Sequence, residues 1–98
     1  MFAKLTGVWG ASSSDGFTVI RCGSPVTEFC IEYSRGGRTL RHALENLAPG
    51  SVQPVFVDRI GPWLPPHADV ELDHSERRKI AEHMVAAMQF LGDKFVVV

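Results

Sequence analysis

Residues 73–92, DHSERRKIAEHMVAAMQFLG, decide the fold. Ile80, Met84, Ala87, Met88 and Leu91 recur on one face at the 3.6-residue helical period, whereas Lys79, Glu82, His83 and Gln89 fall away from it. Asp73 followed three positions later by Glu76 has the form of a capping box, and Gly92 is the residue that most easily turns left-handed after a last helical turn. The stretch therefore predicts one long helix with a core-facing stripe and a marked start and stop. His83, on the polar side of that stripe, reads as a solvated residue.

On either side of the helix the pattern changes to extended chain. Downstream, Lys94-Phe95-Val96-Val97-Val98 is short and mostly apolar and predicts a strand docked on the same sheet the helix covers. Upstream, Phe17 to Cys22 is rich in β-branched and aromatic residues between Gly16 and Gly23-Ser24-Pro25, and reads as a strand. Thr27, Phe29, Ile31 and Tyr33 alternate with Glu28, Cys30, Glu32 and Ser34, the period of a strand with one dry and one wet face. Ser34-Arg35-Gly36-Gly37 supplies a turn, because paired glycines accept the positive φ angles of tight hairpins.

Arg38 to about Ala43 then forms the partner strand, with a short turn or helical piece to Leu47; Leu40, Ala43, Leu44 and Leu47 also fit a helical face. Val52 to Val57 suits an edge or bulged strand, since Pro54 has no amide hydrogen to donate. The N-terminal residues mix Phe2, Leu5, Val8 and Trp9 with a soft tract from Gly10 to Gly16, read as a loop ending in an Asp-Gly turn. Strands, one covering helix and a last strand define an α+β fold: a small antiparallel-rich sheet covered on one face by a single long C-terminal helix, in one domain spanning residues 1–98.

Hydrophobic content of 45% and charged content of 21% are those of an ordinary globular protein, and the apolar runs are too short to span a bilayer. Met1 to Gly7 lacks the basic region, apolar run and small-residue cleavage site of a secretory signal, so the expected compartment is the cytoplasm. Cys22 and Cys30 lack zinc-like spacing and are expected to be reduced thiols. Cys30 shares its strand face with Glu28 and Glu32, whose charges oppose a reactive thiolate.

No phosphate-cradling loop, nucleophile elbow or zinc-protease helix is present. His67 and His74 lie near Asp69 and Asp73, but their spacing matches no standard ligand motif, so no metal and no cofactor is expected and the chain does not read as an enzyme. His42 can sit on either face of its strand. The formal net charge of −1 lacks the positive excess of most nucleic-acid binders, although Arg35, Arg38 and Arg41 cluster near Tyr33 and give a small RNA-binding protein as the alternative reading. Between Asp58 and Glu76 the acids Asp58, Asp69, Glu71, Asp73 and Glu76 face only one base, Arg59.

Within that acidic region Gly61-Pro62-Trp63-Leu64-Pro65-Pro66-His67 is stiffened by three prolines. Trp63 has two readings there: a lid folded onto the core, or a preorganised anchor for a protein partner.

The order Ile31-Glu32-Tyr33, Gly36-Gly37-Arg38-Thr39-Leu40-Arg41, Glu45, Ile60 to Trp63, Pro65-Pro66-His67, Glu76-Arg77, Ile80 and the helix tail at Ala87, Phe90, Leu91 and Gly92 resembles the small bacterial immunity proteins numbered 74 in the polymorphic-toxin classification. The resemblance covers roughly residues 28–98 and departs at His42-Ala43-Leu44, where a small or proline-containing turn is expected. It implies a protein that binds and neutralises the C-terminal domain of a cognate toxin, with a nuclease delivered by contact-dependent growth inhibition as the expected kind. A basic nuclease surface would be complemented by Trp63 with Asp58, Asp69, Glu71 and Asp73, and by Glu28 and Glu32 as a second acidic patch.

Overall fold

The computed structural model describes every residue except Pro25, Thr27 and Asn46. Its elements run β1 (Phe2–Lys4), β2 (Gly10–Ser13), β3 (Phe17–Cys22), β4 (Cys30–Arg35), β5 (Arg38–Ala43), β6 (Gln53–Val55), a 3₁₀ turn (Val57–Arg59), α1 (His74–Phe90) and β7 (Phe95–Val97). β1 to β5 form one antiparallel sheet in sequence order, and β6 pairs with β7 in a separate parallel pair. The α+β architecture is the one expected, with one helix lying across the sheet.

The strand alternation decides what the helix covers. Val19, Ile31, Tyr33, Leu40 and His42 are buried on the side facing α1, whereas Thr18, Ile20, Glu32, Ser34 and Arg41 occupy the other face. Thr27, the first residue of the expected alternation, lies outside the described residues. The hairpin joining β4 to β5 pairs Arg35 with Arg38 around Gly36 and Gly37, which have φ of 58° and 78°. Positive φ at both positions is what a two-residue turn matched to the strand twist requires. No helix follows β5 at the described residues Leu44, Glu45 and Leu47, so the helical alternative there is not taken.

α1 begins and ends where its sequence dictates. The Asp73 carboxylate accepts the Glu76 backbone N–H at 2.8 Å, and Glu76 reaches back toward the Asp73 N–H at 3.5 Å. At the other end Gly92, at φ 93°, lets its own N–H reach Gln89 O and the Asp93 N–H reach Met88 O, both at 3.0 Å. Ile80, Met84, Ala87 and Met88 are buried as expected and Leu91 packs at the margin; Ala81 and Val85 widen the buried stripe.

Three expectations are corrected. The Gly10 to Gly16 tract is not all loop: Gly10–Ser13 is β2, paired with both β1 and β3, and only its end turns, at residues 14–16. Small residues are poor strand formers, yet Ala11 is fully buried where α1 packs on β2, and a larger side chain would hold the helix away. The last strand does not join the main sheet. It pairs with β6, so that β6, α1 and β7 form a parallel crossover unit whose Val55 and Phe95 enter the same core as Tyr33 and Met84.

The third correction concerns the cysteines. Cys22 and Cys30 are directly opposed on β3 and β4 with Cα atoms 4.9 Å apart, and they form a disulfide. Strand register, invisible in the spacing of two cysteines, brings them within bonding reach. At the N-terminus the Trp9 Nε1–H donates to Asp93 Oδ2 at 2.7 Å, tying the β1–β2 connection to the end of α1.

Candidate functional site

Trp63 is 6% exposed. Its segment runs along the outer edge of β5, where the Leu64 N–H donates to Thr39 O at 2.7 Å, and the indole turns inward against Tyr33 with ring centroids 6.3 Å apart. The expectation of a surface anchor is corrected in favour of the lid: the stiff backbone delivers the ring to the core, leaving Pro62, Pro65 and Pro66 outside. The indole Nε1 is buried and has no hydrogen-bond partner among the described residues.

The acidic residues stand as follows. Asp58, in the 3₁₀ turn, and Asp69 and Glu71, in the lead-in to α1, are exposed, and no base of the described residues forms an ion pair with them. Asp73 is exposed too, but its carboxylate is committed to the helix start. Glu32 lies on the face away from α1 and is bound by Arg41 Nε at 3.0 Å. Glu28 borders a broad groove of about 1060 Å³ shared with Arg21, Phe29, Glu45, Arg59 and Lys94. No contact unites Glu28 with Glu32 into a second acidic patch among the described residues.

The arginines also divide. Arg35 and Arg38 are opposed across the hairpin on the α1 side, whereas Arg41 pairs with Glu32 on the other face. The expected three-arginine RNA face is therefore not assembled. Instead α1 brings Lys79 and His83 to Arg35 and Arg38 at the hairpin end, above Tyr33 and Trp63.

His83 is half-buried rather than solvated. Its ring stacks on Phe17 at a centroid distance of 4.1 Å and an interplanar angle of 6°, and its Nδ1 is 2.9 Å from the Tyr33 hydroxyl. Burial lowers its pKa from the ordinary histidine value, and the charges of Arg35 and Lys79 add to the effect. Burial raises the Tyr33 pKa, against the opposing pull of Arg35. His42 is also resolved: it faces the core, accepts the Phe56 backbone N–H on Nε2 at 3.2 Å, and has its pKa lowered chiefly by burial.

Lys79 and His83 escaped the sequence reading as site residues because a polar helix flank normally faces water. The signal that could have found them is their i, i+4 spacing directly beside the buried Ile80, opposite a hairpin whose turn is flanked by two arginines. No group of three or more His, Cys, Asp or Glu side chains converges among the described residues. The chain matches no protein-family model, and comparisons with curated proteins and with solved structures give no match.

Proposed function

We propose that this chain is an immunity protein that binds and neutralises the C-terminal domain of a cognate bacterial toxin in the cytoplasm of the cell that makes it. The observation that carries the reading is that Asp58, Asp69 and Glu71 stand exposed without a cationic partner among the described residues. Solvated carboxylates of this kind add little to the stability of their own fold, and they are available to a basic partner such as a nuclease. The resemblance of residues 28–98 to immunity proteins points to the same partner class. Tyr33 and Trp63 are buried, so on this reading the toxin meets the exposed acids and not these rings.

The reading makes the protein a binder and not an enzyme. Charge complementarity acts mainly on the encounter rate, so Asp69→Lys with Glu71→Lys is expected to slow association with the toxin domain by roughly tenfold or more at low salt. Stopped-flow association measurements check this. An unchanged, salt-independent rate would remove these residues from the interface.

A further inference from the structure

At the β4–β5 hairpin end a pocket of about 390 Å³ opens between the sheet and α1. Arg35 and Arg38 enter its wall from the two strands, Lys79 enters from the helix, and Tyr33, His83 and Trp63 form its inner side. We propose that this pocket binds a phosphate dianion, free or carried by a small phosphomonoester. The site stands apart from toxin neutralisation and needs no toxin for its test.

Three features carry the assignment. First, Arg35 and Arg38 are direct cross-strand neighbours, an arrangement that like charges disfavour unless an anion lies between them. Neither arginine, nor Lys79, forms an ion pair with any described carboxylate. Glu76 is the one carboxylate in the wall, and it is turned to the helix start, where it meets the Asp73 N–H. Second, the cations are of the right kind: planar guanidinium groups bind phosphate oxygens in pairs, and a lysine adds a point charge.

Third, polar groups stand among the aromatic rings of the inner wall. The Tyr33 hydroxyl and His83 Nδ1 lie 2.9 Å apart in one hydrogen bond, and either residue can turn its remaining hydrogen-bonding capacity to a ligand. A volume of 390 Å³ exceeds what a bare phosphate fills and falls in the range of small-ligand sites, leaving room for a compact organic group beyond the phosphate.

The test is a titration of isotope-labelled full-length protein, followed by NMR, with inorganic phosphate and separately with adenosine 5′-monophosphate, each matched in ionic strength by sodium chloride. Saturable binding tighter than roughly 1 mM is expected with at least one of them. Equal affinities mark a free-phosphate site, and tighter binding of the nucleotide marks a phosphomonoester site. Arg35→Gln and Arg38→Gln, both at exposed positions, should each weaken binding by about tenfold, while Arg41→Gln on the opposite face leaves it unchanged.

Binding should also raise the pH at which His83 titrates, because the anion opposes Arg35 and Lys79. The other groups facing that ring, Phe17, Tyr33, Asp15 and Glu82, stay in place. Shifts no different from those in sodium chloride, or an Arg41→Gln effect as large as that of Arg35→Gln, would overturn the assignment.

Discussion

His42 and His83 are packed where a charged imidazole is disfavoured. For His42 burial is the main cause, and the Arg59 charge adds to it; for His83 burial is joined by Arg35 and Lys79. Both folded-state values lie below that of an unfolded histidine, so the unfolded chain takes up protons first as the pH falls. The histidine contribution therefore favours the folded state above about pH 6.5 and is lost as the pH drops from there through the folded values. NMR titration of the imidazole resonances should place both midpoints below about 6.5. A midpoint at or above that value for His42 would contradict its burial. Trp63 shows why a single residue's setting can mislead. Proline neighbours announce a stiff, presented loop, but the direction of the indole depends on the hydrogen bond from Leu64 to β5, which joins residues far apart in the chain.

α1 is the element whose sequence specifies it most completely, since stripe, capping box and terminal glycine all act within one contiguous stretch. Met84, fully buried beneath it, tests that packing: Met84→Asp should abolish the cooperative thermal transition, because an unpaired carboxylate in this core has no compensating partner. A retained sharp melt would mean that α1 is seated differently. β3 is legible by its β-branched and aromatic residues between glycines, β4 by alternation, and β5 by the Gly-Gly turn before it. β2 is not, because Gly10-Ala11-Ser12-Ser13 carries no strand propensity and owes its conformation to neighbours on both sides. The partner of β7 is equally hidden, as a three-residue apolar strand does not encode which edge it joins. The same holds for the bridge between β3 and β4. Closing Cys22 to Cys30, eight positions apart, should contribute about 2 to 3 kcal/mol by restricting the unfolded chain. Comparing guanidinium unfolding of the wild type and a Cys22→Ala, Cys30→Ala variant under non-reducing conditions measures this, and identical midpoints would show that the bridge adds nothing.

Across the whole molecule, a net charge of −1 conceals an uneven distribution of charge along the chain. Arg35, Arg38 and Lys79 gather at the hairpin end of the sheet, while Asp58, Asp69 and Glu71 lie in the stretch that leads into α1. One helix is clamped across the meander, and among the described residues no helix is long and apolar enough to cross a membrane. Of the acidic site read from the sequence, Asp58, Asp69 and Glu71 remain as candidates, exposed and without an ion-pair partner among the described residues. Asp73 is spent on the helix cap, Glu32 on Arg41 and Trp63 on the core, because hydrogen-bonding and packing demands compete with surface roles in ways that residue order does not display. A protein acting through such an exterior should bind its partner whether or not the Cys22–Cys30 bridge is closed, because Asp58, Asp69 and Glu71 lie outside the two bridged strands. The most direct measurement is calorimetric titration of the purified chain, reduced and oxidised, with the toxin C-terminal domain that the proposal requires as its cognate. The expected result is a 1:1 complex in both redox states that abolishes the toxin's activity. No association at micromolar concentration, or association that leaves the toxin active, would contradict the account.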